Sequence, residues 1–98
     1  MPDLRQNTRQ DTRQDTARNR YAYDTEAGEA LAFYRLNDGV MTFTHTEVPL
    51  ALRGRGIGSA MMRAVLTDVR AQGLKVIAAC PFVADYIARH REFSDLLA

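Results

Sequence analysis

Three groups of residues in this sequence have the types and spacing to do chemistry. The first is Leu52-Arg53-Gly54-Arg55-Gly56-Ile57-Gly58-Ser59, with a glycine at every second position and two arginines among them. Glycine has no Cβ, so its backbone can bend tightly and approach a ligand closely. An amphipathic helix pattern begins at once, and the first turn of a helix offers unpaired N–H groups and the positive end of a dipole. A glycine loop running into a helix start is a recipe for holding phosphate. The second group is Cys80, the single cysteine, which follows the apolar run Lys75-Val76-Ile77-Ala78-Ala79 and precedes Pro81. A thiol before a helix start can be favoured as thiolate and act as a nucleophile, or it can be a small buried hydrophobe. The third group is His45 and Glu47, two residues apart in strand-like sequence before the loop. Either side chain could take the proton that an ammonium acceptor must lose before it attacks. Against that role stand a hydrogen-bonded sheet histidine and a solvated strand end.

Elimination narrows the phosphate. Gly54-x-Gly56-x-Gly58 is followed by Ser59, so the dinucleotide fingerprint G-x-G-x-x-G is not met, and Ala78-Ala79-Cys80 supplies no carboxylate for a ribose. The G-x-x-x-x-G-K-[ST] loop of nucleotide hydrolases is missing as well. Arg53 and Arg55 could add bidentate bonds to phosphate, although loop arginines are commonly solvated. The backbone N–H groups from Arg55 to Ser59 are the firmer expectation.

The flanking elements must hold these groups in place. Tyr21-Ala22-Tyr23 reads as a short strand, and Ala30 to Leu36 as a second. Asn37-Asp38-Gly39 is the strongest hairpin signal in the chain. Val40 to Glu47 continues as a third strand, and strict alternation puts Met41, Phe43, His45 and Glu47 on one face. Should the site lie on the other face, Thr44 and Thr46 would line it. A helix is expected from Gly56 to Gln72 with an apolar stripe of Ile57, Met61, Ala64, Val65 and Val69, and Gly73 ends it. Lys75 to Ala79 reads as a strand buried on both faces. Pro81 opens a last helix whose inner face is Phe82, Val83, Tyr86, Ile87 and His90. Tyr86 could act as a general acid on a leaving thiolate, but Phe82 and Tyr86 read first as core. The order strand, loop, helix, strand implies a parallel crossover after antiparallel hairpins. The fold class is therefore α/β in the broad sense (α+β): a mixed, mostly antiparallel sheet with a parallel strand–helix–strand unit and a C-terminal helix.

Arg53-x-x-Gly56-x-Gly58 resembles the acyl-CoA loop of the GNAT acetyltransferase superfamily, [Q/R]-x-x-G-x-[G/A]. His45-Thr46-Glu47-Val48-Pro49, then the loop, then Cys80-Pro81-Phe82-Val83 and Tyr86-Ile87-x-x-His90-x-Glu92-Phe93, is similar to the minimal branch of that superfamily. The resemblance covers Arg20 to Ala98. It implies a co-substrate, acetyl-CoA, whose pyrophosphate lies on the loop (Arg53, Gly54, Arg55, Gly56, Ile57, Gly58 and Ser59). It also implies two splayed parallel strands admitting the pantetheine arm, and an oxyanion held by backbone N–H groups near Thr46 and Val48. The implied activity is transfer of an acetyl group to an amine, either by direct attack with His45 or Glu47 as base, or through Cys80. The acceptor, a small amine, peptide or protein, is not named by the sequence. The minimal branch lacks the early helices that larger members fold over the acceptor, so the acceptor side should be open. Two departures stand out: the polar repeat before Arg20 has no counterpart, and the proline usual after the last-motif histidine is Arg91. A non-catalytic acyl-CoA-binding or protein-interaction module on the same shell is the alternative.

Residues 1–19 form a repeat, Arg5-Gln6-Asn7-Thr8, Arg9-Gln10-Asp11-Thr12, Arg13-Gln14-Asp15-Thr16, with no large apolar residue after Leu4. It is expected to be disordered or weakly helical, leaving residues 20–98 as the one domain. Its arginines could touch RNA phosphate, but aspartates dilute them. Across the chain, 13 basic and 12 acidic residues nearly cancel, which argues against a nucleic-acid partner. One cysteine fits a reducing compartment, and no apolar run is long enough for a membrane span, so the expected location is cytoplasmic. No cluster has metal-ligand spacing. The oligomeric state is left open.

Overall fold

The computed structural model describes residues 12–98. Five strands lie in one sheet in sequence order: β1 (Thr12–Asp15), β2 (Arg20–Thr25), β3 (Gly28–Asn37), β4 (Val40–Glu47) and β5 (Lys75–Ala78). β1 to β4 are antiparallel, and β5 runs parallel to β4. The β3–β4 hairpin turns where the sequence places it. Asp38 and Gly39 take φ of 50° and 77°, the left-handed conformation that a two-residue hairpin needs and that Asp-Gly tolerates. Between β4 and β5 come a 3-10 turn (Leu50–Leu52) and helix α1 (Ile57–Ala71); after β5 come α2 (Pro81–Arg89) and a 3-10 segment (Arg91–Leu96).

The core lies between one face of the sheet and the two helices. α1 contributes Met61, Met62, Val65, Leu66 and Val69, and α2 contributes Val83, Tyr86 and Ile87. These meet Ala30, Ala32, Tyr34, Met41, Phe43 and Val76 in one cluster. Each large side chain buried there stabilises the fold by about 1.5–3 kcal/mol before chain entropy is counted. Phe93 ties the C-terminal segment to α1: the guanidinium groups of Arg63 and Arg70 lie 5.6 and 5.3 Å from its ring centroid. Beyond it, Leu97 bridges to Val76, and the Ala98 N–H donates to Val76 O at 2.9 Å, covering the free edge of β5.

Three expectations are corrected. Residues 12–19 are structured: Thr12–Asp15 pair with β2 as an edge strand, and Thr16–Arg18 form a 3-10 turn. The rest of the repeat lies outside the described residues. An edge strand needs little apolar burial, because backbone pairing and side-chain polar bonds hold it. Arg13 pairs with Glu29 and Asp24, and Gln14 donates to the Tyr34 hydroxyl at 2.9 Å. Second, β5 is buried on one face only, since Val76 is fully buried but Ile77 is 47% exposed. Among the described residues, no helix covers the sheet face that Ile77 shares.

The third correction concerns β4. Phe33 pairs with His45 but Tyr34 pairs with Phe43, so Thr44 is an extra residue, a β-bulge. A one-residue insertion reverses the alternation. Thr46 therefore joins Met41 and Phe43 on the core side, opposite buried Ala32. His45 and Glu47 turn to the uncovered face, opposite Phe33 and Leu31.

A polar bolt locks β1 and β2 to α1. The Tyr21 hydroxyl, on an almost wholly buried side chain, donates to Asp68 Oδ2 at 2.6 Å. Gln72 Nε2 donates to the same carboxylate at 2.6 Å and to Gln14 Oε1 at 2.9 Å. Burial, then the Asp68 carboxylate, push the phenol above its ordinary range, so it remains a donor. Tyr21→Phe should lower stability by about 1–2 kcal/mol, read as a shifted urea midpoint at unchanged slope.

Candidate active site

The site begins where β4 and β5 part. Their last paired residues are Phe43 and Ala78. The Cys80 N–H then donates to Phe43 O at 3.0 Å. β4 continues through Thr44–Glu47 with no strand on that edge among the described residues, while the chain after β5 turns into α2 with Cys80 as its N-cap residue. The diverging strands leave unpaired backbone N–H and C=O groups along the end of β4, a ready template for an extended ligand.

On the core side of that opening lies a surface cleft of about 380 Å³. It is lined by Thr46, Val48 and Leu52 from the end of β4 and the turn after it, and by Arg53, Gly54, Gly56, Ile57, Gly58 and Ser59 of the loop and first α1 turn. Phe82 closes it from α2. Gly54 and Gly56 take φ of 84° and 77°, and a Cβ on either would meet nothing within 4 Å. Their role is therefore conformational: the loop turns twice through left-handed backbone to deliver α1 with Gly56 as its N-cap and no side-chain cap. The first α1 amide with an intrahelical acceptor is that of Ala60, to Gly56 O at 3.0 Å. The preceding amides of Ile57, Gly58 and Ser59 are the orphan donors of the first turn, beside the positive end of a fifteen-residue helix dipole. Arg53 and Arg55 are exposed and make no ion pair among the described residues. Arg55 does not line the cleft; its N–H donates to Leu52 O and tightens the loop.

Cys80 is 6% exposed. Its Sγ lies 3.8 Å from Oγ1 of Thr46, which lines the cleft; Cys80 itself sits behind Thr46 and is not part of the lining. A family model for the GCN5-related N-acetyl-transferase matches residues 20–96. The chain belongs to the GCN5-related N-acetyltransferase family. Within solved structures, it is similar to the solution structure of a GCN5-like protein from Staphylococcus aureus. The TM-score is 0.68 and the sequence identity 27%, over 89% of this chain and 86% of that one. The mixed sheet with a parallel β4–β5 pair, expected from the loop motif, is the fold observed.

In this GCN5-related fold, His45 and Glu47 do not line the cleft. They sit on the far face of β4, exposed, with His45 Nε2 and Glu47 Oε2 3.2 Å apart. The His45 ring stacks on Phe33 at 5.8 Å between centroids. Tyr86 is core, as expected. Its ring stacks on His90 at 3.9 Å, and burial raises its pKa. Among the described residues, no group of three or more His, Cys, Asp or Glu could hold a metal, and no helix is long and apolar enough to cross a membrane.

Two site features escaped the sequence. The Thr46 side chain meets Cys80 on the side of Met41 and Phe43, whereas strict alternation put it on the opposite face. Phe82, read as core, is 39% exposed in the cleft wall. Its place directly after Cys80-Pro81, in the first turn of a helix, was the available signal. Gly56→Ala would force a Cβ into left-handed backbone. The expected cost is about 1–2 kcal/mol of stability, seen as a lower thermal midpoint.

Proposed function

We propose that this protein transfers an acetyl group from acetyl-CoA to an amine by way of Cys80. The observation that carries the reading is one continuous cleft. It runs from the orphan amides of Ile57, Gly58 and Ser59 to Thr46, which touches Cys80 Sγ at 3.8 Å. The amides and the helix dipole suit the pyrophosphate. Arg53 stands at the cleft rim to pair with phosphate oxygens. The unpaired edge of β4 suits the amide-bearing pantetheine arm, which would pair as a short strand.

In the first half-reaction the Cys80 sulfur, having given up its proton, attacks the thioester carbonyl carbon. Backbone N–H groups between Thr46 and Val48 take up the oxyanion. The bond from the carbonyl carbon to the coenzyme A sulfur then breaks, and the departing thiolate takes a proton. In the second half the acceptor amine, after losing a proton, attacks acetyl-Cys80. The new N–C bond forms, the S–C bond breaks, and the Cys80 sulfur recovers a proton while the amide nitrogen loses its second. Acceptors reach the divergence from the sheet face that no helix covers, which suits small amines and exposed peptide amines alike.

Direct attack, with His45 or Glu47 as base, is the rival route. The bulge turns both side chains away from the cleft and toward each other, onto the open sheet face from which acceptors would approach.

Incubation with acetyl-CoA alone should add one acetyl group by intact mass, lost in Cys80→Ala. Turnover on an amine panel should fall at least about 100-fold in that variant. Full turnover in Cys80→Ala with loss in His45→Ala/Glu47→Gln would select direct attack. Coenzyme A binding with no turnover on any amine would make the domain a binding module.

A further inference from the structure

The third glycine of the loop does a different job from the other two. Gly54 and Gly56 have positive φ and open space where a side chain would go; Gly58 has neither. A Cβ on Gly58 would lie 2.6 Å from Phe82 Cζ and 3.3 and 3.4 Å from its two ε carbons. The end of the Phe82 ring therefore rests against the backbone of the first α1 turn, in the space that only glycine leaves. Phe82 is also the second residue of α2, so one ring joins the first turns of both helices. A large aromatic side chain left 39% exposed at that junction is held there by packing, yet it presents apolar surface to the cleft. The same cleft is lined by Val48, Leu52 and Ile57, also apolar, together with Arg53 and the glycine-loop backbone. The cleft thus combines first-turn amides and Arg53, suited to phosphate, with apolar side chains suited to an uncharged arm.

We propose that Phe82 is the positioning residue for the acyl donor: its ring, seated on Gly58, is the apolar wall that holds the pantetheine arm between the pyrophosphate cradle and Cys80. The inference rests on the acetyl-CoA reading above. It separates the roles of the loop glycines: Gly54 and Gly56 shape the cradle, and Gly58 seats the wall. It also places the contact on the part of coenzyme A beyond the phosphates, which makes it separable from loop binding.

The test compares two probes by calorimetry: coenzyme A, and adenosine 3′,5′-bisphosphate, which keeps the 3′-phosphate and the inner 5′-phosphate but lacks the outer phosphate and the pantetheine. Phe82→Ala should weaken coenzyme A about tenfold and change the bisphosphate less than about twofold. Phe82→Leu, which keeps apolar bulk and guards against a folding artefact, should recover most of the loss. Gly58→Ala should also weaken coenzyme A by pushing the ring into the cleft. In the Phe82→Ala background the same glycine change should be nearly neutral, a non-additivity that independent roles would not produce. In turnover, Phe82→Ala should raise KM for acetyl-CoA more than it lowers kcat. Wild-type binding of coenzyme A with equal affinity in Phe82→Ala, or equal loss for both probes, overturns the inference and leaves the acetyl-CoA reading standing. A wild-type protein that binds neither probe overturns both.

Discussion

The Cys80 N–H to Phe43 O bond, 3.0 Å long, is the clasp on which the site depends. It is the last backbone tie across the parallel pair. Before it, β4 and β5 share a ladder and a common buried face; after it, one strand runs on and the other chain turns into a helix. Parallel strands need a crossover of a dozen residues or more, and here that crossover is α1 with its glycine loop. The clasp therefore fixes three things together: the end of the ladder, the N-cap of α2 and the position of the only thiol. A cleft at the carboxyl end of parallel strands, where neighbouring connections diverge, follows from that geometry.

The bulge at Thr44 is the second constraint, and its effect falls on the same few residues. By adding one residue to β4 opposite an unbroken β3, it reverses which side chains face the helices. Thr46 is carried to Cys80, and His45 and Glu47 are carried to the open sheet face, where they pair with each other and with Phe33. The reversal happens on the stretch of β4 that has no β5 partner. An irregular strand is least costly there, because only one ladder must tolerate it.

Stability and function draw on separate parts of the fold. The Tyr21–Asp68–Gln72–Gln14 network and the Phe93 clamp hold the sheet and C-terminal segment to α1, away from the cleft. The cleft itself is built from backbone: positive-φ glycines, orphan amides and a strand edge. Its side chains are few, and the largest, Phe82, is seated by the absence of a Cβ on Gly58. Such a cleft suits a ligand that brings its own charge and hydrogen-bonding groups.

The sequence by itself determined the elements with local causes. Asp38-Gly39 set the hairpin, the apolar stripe and Gly73 set α1, and Pro81 set the start of α2. The loop motif pointed to its family and parallel unit, because glycine spacing is a backbone requirement readable one residue at a time. Tertiary structure decided what depends on two segments at once. Thr12–Asp15 carry no large apolar residue, and only the neighbouring strand and Tyr34 make them β1. Alternation along β4 cannot reveal a bulge, since the extra residue exists only relative to β3. Ile77 and Phe82 look like core in a window of sequence, and their exposure follows from what does and does not pack above them. Nor could Gly58 be told apart from Gly54 and Gly56 until Phe82, twenty-four residues later in the chain, was in place against it.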